Sequence, residues 1–363
     1  MKRLLLLAGL VLFSAEASAA PSGRPISSTG TLEGAPYRID VPANWNGSLV
    51  VYYHGYEVVG EARKEPWPLA AGTQAFLDRG YAVAASGYSR QGWAVEEALV
   101  DSRRLISLFE SRHGRAQRVY AAGMSMGGHI ALAALERDPA RFDGAVSYCG
   151  ANLPTRELFA DIVANVAGFD AIFPGVLPLG PRGLADPGAP AQLDQAAMTR
   201  VEAALAGDAA AAERLAARIG VRPRDLAGAI WLHYAALQEM RSRAGGFPVD
   251  NRGTRYTGFG DDAAFNRKVR RYAADPKAAA YLGRVGDLRG RIEDPVVALS
   301  NAYDDIVPVR LNARYPALIR RAGRSRFFHA LTAVGEGHCN FTLPQVGGAF
   351  DALTAWVERG RRP

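Results

Sequence analysis

One stretch constrains this chain more than any other: Arg118 to Ile130, reading R-V-Y-A-A-G-M-S-M-G-G-H-I. The short apolar run Val119 to Ala122 predicts a strand, and Ile130-Ala-Leu-Ala-Ala-Leu135 predicts a helix directly behind it. Little more than G-M-S-M-G separates the two, so Ser125 must stand on a very sharp strand-to-helix turn. The residues two before and two after such a serine nearly touch, and Gly123 and Gly127 let the turn close and lift the hydroxyl above the sheet edge. The helix that follows aims its first N–H groups and its dipole at the hydroxyl, which favours a negative charge developing there. G-x-S-x-G alone is a modest signal in a chain with 39 glycines. The strand before, the helix after and a further glycine at 128 make it specific, and no other serine here has glycine at both flanking places.

The flanking sequence repeats the alternation of strand and helix. Thr29 to Leu32 and Pro36 to Val41 read as two strands about a turn at Glu33-Gly34-Ala35, and Ser48 to Tyr53 reads as a strand buried on both faces. Helical segments are expected at Leu69 to Arg79 and Ala94 to Arg112, with strands at Gly80 to Ser86 and Asp143 to Cys149. This spacing means an α/β protein with a mostly parallel sheet. The alternation stops after Gly150. From Ala151 to about Arg291 no strand is evident, and helices are expected at Gln192 to Ala206, Asp208 to Ile219, Asp225 to Arg243, Asp261 to Ala274 and Pro276 to Leu282. Strands return at Asp294 to Ser300 and Ser325 to Leu331, and an amphipathic helix from Gln345 to Arg359 closes the chain.

The amino terminus has a different character. Met1-Lys2-Arg3, an apolar run to Phe13 and the small-residue pattern Ala17-Ser18-Ala19 predict a secretory leader, residues 1–19. The mature protein is therefore expected to be secreted or periplasmic. The apolar run is shorter than the roughly 20 residues that span a bilayer, as is every later one, so no integral membrane association is expected. The net charge of +7 is almost wholly arginine spread along the chain, and no nucleic-acid motif accompanies it. Walker, dinucleotide-binding and metal-ligand patterns are absent too, so the chemistry is expected to need no cofactor and no metal.

A serine hydroxyl needs a base, and the base needs an orienting carboxylate. Two loops after predicted strands supply them: Asn301-Ala-Tyr-Asp304-Asp305-Ile-Val-Pro308 and Gly335-Glu-Gly-His338-Cys-Asn-Phe-Thr342. The order Ser, Asp, His along the chain is the one that accompanies a strand-turn-helix serine. Asp305 is an alternative acid if the loop is shifted by one residue. Two backbone N–H groups are expected to face the oxyanion, those of Met126 and of Tyr56, which follows His54-Gly55 at the end of a strand.

On these motifs the chain resembles the α/β-hydrolase superfamily. The family's G-x-x-D-x-x-V-P acid loop aligns with Asn301 to Pro308, asparagine replacing the first glycine, and puts Asp304 in register; its G-H loop aligns with Gly337-His338. The resemblance implies a hydrolase core in two parts, residues 20–150 and 292–363, with a helical cap, residues 151–291, inserted after the sixth strand. Trp45-Asn46-Gly47 and Gly337-His338-Cys339 are similar to secreted feruloyl esterases and tannases, although Met124 stands where that group has cysteine. The implied activity is cleavage of a small-molecule or polymer-linked ester by Ser125, His338 and Asp304. A peptidase with the same triad and a non-catalytic binding module are the other readings. Tyr88, Trp93 and Phe341, with Tyr56, Trp231 and Tyr234, are the candidates to line the substrate pocket. In this fold the histidine loop reaches toward the sixth strand, and export favours oxidation, so a Cys149–Cys339 disulfide is expected against two buried free thiols. Oligomeric state is not legible.

Overall fold

Uncharged runs rich in Val, Ala, Leu and Tyr go to the middle of a sheet when both of its faces are covered. The computed structural model describes residues 24–363, and the expected leader lies outside them. The strands are β1 (Ile26–Leu32), β2 (Ala35–Val41), β3 (Leu49–Tyr53), β4 (Ala82–Ser86), β5 (Val119–Met124), β6 (Gly144–Tyr148), β7 (Val296–Leu299) and β8 (Phe328–Ala330). They form one sheet in the order β1-β2-β4-β3-β5-β6-β7-β8, antiparallel from β1 through β2 to β4 and parallel from there on. All residues of β3, β4, β6 and β7 are buried.

The helices are α1 (Gln74–Leu77), α2 (Val95–His113), α3 (Met126–Arg137), α4 (Thr155–Ile172), α5 (Gln195–Gly207), α6 (Ala209–Ile219), α7 (Leu226–Ala244), α8 (Asp262–Lys268), α9 (Pro276–Val285), α10 (Arg314–Arg321) and α11 (Leu343–Arg359). The period-two alternation of the strands divides the core between them. Leu49, Val51 and Tyr53 of β3 and Ala121 of β5 face one side, with Ile106 and Phe109 of α2 and Ile130 of α3. Val50, Tyr52 and Tyr120 face the other, with Phe76 of α1 and Phe350 of α11. The rings of Phe76 and Phe350 meet edge to face at 4.8 Å. A fully buried phenylalanine of this kind contributes about 1.5–3 kcal/mol.

Helices α4 to α9 stand between β6 and β7, where the helical block was expected, and no strand element interrupts them among the described residues. Their ends follow local chemistry. Asp208 caps α6 by accepting the Ala211 N–H, and Gly220 closes that helix in the left-handed conformation. Three expectations need correction. The helix expected at 69–79 contracts to α1, because Gly72 takes a positive φ of 85° just ahead of it. The helix expected from Asp261 to Ala274 ends at Lys268, because the buried Asn251 side chain bonds the Arg270 carbonyl and the Tyr272 N–H and holds that segment out of helix. The strand expected from Ser325 opens as a 3-10 turn, leaving β8 three residues long. Among the described residues no helix is long and apolar enough to cross a membrane.

Candidate active site

Strand β5 delivers Ser125 into a backbone that non-glycine residues rarely adopt, φ 59° and ψ −126°. The reason lies on either side of it. A Cβ on Gly127 would run into the Tyr53 carbonyl, and one on Gly123 into the Gly127 carbonyl, so only glycine lets β3, β5 and α3 meet here. The Ser125 N–H is held by the Tyr148 carbonyl at 3.0 Å.

The other two residues arrive from the ends of β7 and β8. His338 Nε2 lies 2.7 Å from Ser125 Oγ, and its Nδ1 lies 2.9 Å from both carboxylate oxygens of Asp304. A nitrogen between two carboxylate oxygens must carry a proton, so in the neutral ring Nε2 is left as the acceptor for the serine hydroxyl. Asp304 is 3% exposed, and its Oδ1 also accepts the N–H groups of Ile306 and Val307 at 2.9 and 2.8 Å. Asp305 is partly exposed and has no hydrogen bond to His338. Asn301, where the family pattern has glycine, is buried and sends its amide to the carbonyls of Val334 and Asn340, tying the acid loop to the histidine loop.

Cys149 and Cys339 form a disulfide that joins the end of β6 to the residue after His338. Both cysteines have positive φ, 45° and 54°, so the bridge fixes backbone that would otherwise relax. Three residues further on, Thr342 starts α11 with a reciprocal cap to Gln345. The histidine loop is therefore pinned on both sides. The grouping Cys149, His338 and Cys339 has metal-ligand spacing, but its sulfurs are bonded to each other and offer no thiolate.

The turn 54–56 lies against the serine: a Cβ on Gly55 would come within 3.8 Å of Oγ. The N–H groups of Tyr56 and Met126 have no acceptor among the described residues. His54 is half-buried, donates from Nδ1 to the Gly55 carbonyl at 2.8 Å and stacks on Tyr88 at 4.0 Å. Burial lowers its pKa to about 4, so it is a neutral brace for the turn.

The expected pocket aromatics are mostly elsewhere. Tyr88 is fully buried beneath His54, and Trp93 is 6% exposed with its ring edge-on to His129 and Phe159, so both are core and not pocket wall. Tyr234 is buried too, bonded to the Pro190 carbonyl. Trp231 and Phe341 are half-buried, Phe341 beside Tyr148. Tyr56 alone of the six lines a cavity of about 270 Å³ between its turn and α7. The segment between α6 and α7 also reaches the loops directly. Arg222 forms a paired contact with Glu336 at 2.7 and 2.8 Å and lies 3.9 Å over the Tyr303 ring, whose hydroxyl is held by Asp225. No motif announces these residues.

A sheet in this strand order, with a serine turn after β5, a carboxylate after β7 and a histidine after β8, decides the architecture. The chain has the α/β-hydrolase fold. No family model matches the sequence. Part of the chain is similar to the o-phthalyl amidase of Xanthobacter agilis, 30% identical over 118 residues, which is 32% of this chain and 25% of that protein. The chain thus matches about a quarter of that relative's length. Among solved structures, the Pyrococcus furiosus esterase Pf2001 is 12% identical, with 96% of this chain and 93% of that one covered and a TM-score of 0.45. Est1E from Butyrivibrio proteoclasticus is 11% identical, with 89% and 95% covered and a TM-score of 0.44. A puromycin-hydrolyzing peptidase of Mycobacterium tuberculosis is 16% identical, with 97% and 42% covered and a TM-score of 0.46. The assignment of the α/β-hydrolase fold rests on this chain's own sheet order and turn geometry.

Proposed function

We propose that this protein is a serine hydrolase that cleaves carboxylic esters through an acyl-enzyme. One observation carries the reading: the unbroken hydrogen-bonded chain from Ser125 Oγ through His338 to Asp304. Ser125 attacks the ester carbonyl while His338 Nε2 takes its proton, and the oxyanion that forms is met by the N–H groups of Met126 and Tyr56. His338 then gives the proton to the leaving alcohol, and the acyl-enzyme forms as that bond breaks. Water, deprotonated by His338, attacks the acyl carbon and releases the acid. Asp304 holds the ring in the required tautomer and offsets the imidazolium charge. Each oxyanion donor of this kind is worth about 3–4 kcal/mol in the transition state. Helices α4 to α9 act in this reading as the roof of the substrate pocket. The leader sequence and the disulfide support a secreted or periplasmic location.

Amide cleavage is the second reading, favoured by the local likeness to an amidase. It uses the same triad but must protonate a poorer leaving group. A panel of p-nitrophenyl esters set against acyl and peptidyl anilides separates the two. The ester reading predicts turnover of the esters with at least hundredfold lower rates on anilides; comparable rates on both would replace it by an amidase.

The acid has its own test. Asp304→Asn should lower kcat by about 10⁴-fold, as loss of the tautomer-fixing carboxylate does elsewhere. Asp305→Asn should stay within a few-fold of wild type, because its side chain does not bond His338. Steady-state kinetics on one ester measures both, and a larger loss at Asp305 would reassign the acid.

A further inference from the structure

The two loops that bring Asp304 and His338 together are both gripped by one residue. Arg222, in the segment between α6 and α7, donates its main-chain N–H to the Tyr303 hydroxyl at 2.9 Å and lays its guanidinium 3.9 Å over the Tyr303 ring. The same guanidinium donates to both carboxylate oxygens of Glu336, at 2.7 and 2.8 Å. Tyr303 immediately precedes Asp304, and Glu336 stands two residues before His338. Arg222 therefore holds the acid loop and the histidine loop at once, beside the residues that do the chemistry.

The histidine loop needs a hold on this flank. The disulfide and the Thr342 cap of α11 fix it from Cys339 onward. Ahead of His338 the chain runs Gly335-Glu336-Gly337, with both glycines at positive φ, 65° and 90°, so the local backbone sets its own conformation only weakly. The Ala302 N–H bonds the Gly335 carbonyl at 2.9 Å and the Gly337 N–H bonds the Tyr303 carbonyl at 3.0 Å, which lays this stretch beside the acid loop. The Arg222 fork adds a side-chain tie across the two. Arg222 is itself well placed to hold them. Its neighbour Val221 is buried, Arg310 donates to the Ile219 carbonyl at 2.6 Å, and the Tyr303 hydroxyl donates onward to Asp225.

We infer that Arg222 is a positioning residue: by joining Tyr303 to Glu336 it sets the contact between Asp304 and His338 Nδ1, and through it the 2.7 Å approach of Nε2 to Ser125. The Glu336 side chain is 61% exposed, and a pair this exposed adds little to global stability, so its loss is felt in the chemistry and not in unfolding. This assignment rests on the acyl-enzyme reading, and the two can fail separately.

The test uses the full-length protein. His338 serves acylation and deacylation alike, so Arg222→Ala and Glu336→Ala should each lower kcat and kcat/KM for p-nitrophenyl acetate together, by roughly 10–100-fold, with KM little changed. The double variant should lose little more than either, because all three remove one interaction. Arg224→Ala, in the same segment but hydrogen-bonded to neither loop among the described residues, should match wild type. All four should keep the wild-type denaturation midpoint. Losses that multiply in the double variant, or that follow a lowered midpoint, would overturn the assignment. A readout free of substrate is the Nδ1 proton between His338 and Asp304, followed by nuclear magnetic resonance in histidine-labelled protein and assigned by its absence in His338→Ala. Its exchange with water should be several-fold faster in Arg222→Ala and Glu336→Ala and unchanged in Arg224→Ala. An exchange rate that Arg222→Ala leaves at the wild-type value would also overturn the assignment. Exchange that responds to Arg222 in a protein that turns over no ester would keep the positioning role and retire the esterase reading. Acetate turnover and proton exchange both untouched by Arg222→Ala would do the reverse.

Discussion

Ser125→Ala should lower ester turnover by about 10⁴–10⁶-fold while the far-ultraviolet circular dichroism stays at that of wild type. The substitution removes one oxygen from a residue whose backbone is held independently, by the Tyr148 carbonyl and by the glycine contacts of β3, β5 and α3. His338→Ala should lose a similar amount, and the double variant little more than either, because nucleophile and base act as one unit. Losses that instead multiply would mean that the two side chains act independently, and the 2.7 Å contact between them would not be the catalytic one.

The second large effect belongs to the disulfide. The bridge spans 190 residues, and closing a loop of that length restricts the unfolded chain by about 5 kcal/mol on the entropy model; removal of native bridges typically costs 2–5 kcal/mol. Its local consequence is sharper. Without the bond, Cys339 no longer holds its strained backbone, and His338, one residue away, loses the position that keeps Nε2 against Ser125. The Cys149→Ala/Cys339→Ala variant should therefore lose most of its activity at temperatures where its circular dichroism is still native, and should unfold at lower denaturant. Alkylation without reductant, followed by mass spectrometry, should label neither cysteine in native protein. Two labelled thiols together with full activity would remove the bridge from the account.

The parts of this molecule that were legible in the sequence are those whose chemistry is local. Gly123, Ser125 and Gly127 lie within five residues, and their steric requirement can be read without knowing anything else about the fold. Asp208 and Gly220 mark both ends of α6 for the same reason. Helix α4 is hard to read in the sequence because most of its residues are buried, the polar Thr155 and Asn165 included, so polarity does not mark its exposed face. The end of α8 depends on Asn251, a residue distant in sequence that outcompetes the helix for backbone groups. Aromatic residues next to strand ends look alike whether they face a ligand or a core, which is why Tyr88 and Trp93 read as pocket wall and proved to be packing. The cavity is assembled from the segments around Tyr56, Gln91 and Gln238, and no motif joins them.

The central claim is that Ser125 is a nucleophile activated by His338. A fluorophosphonate probe measures this directly, since it reacts covalently with a serine only when that serine is activated. Incubation of the full-length protein with the probe, digestion and peptide mapping by mass spectrometry should place one adduct on Ser125, absent in Ser125→Ala and slowed by at least a thousandfold in His338→Ala. A well-folded wild-type protein that takes up no probe, or takes it up on another serine, would contradict the account.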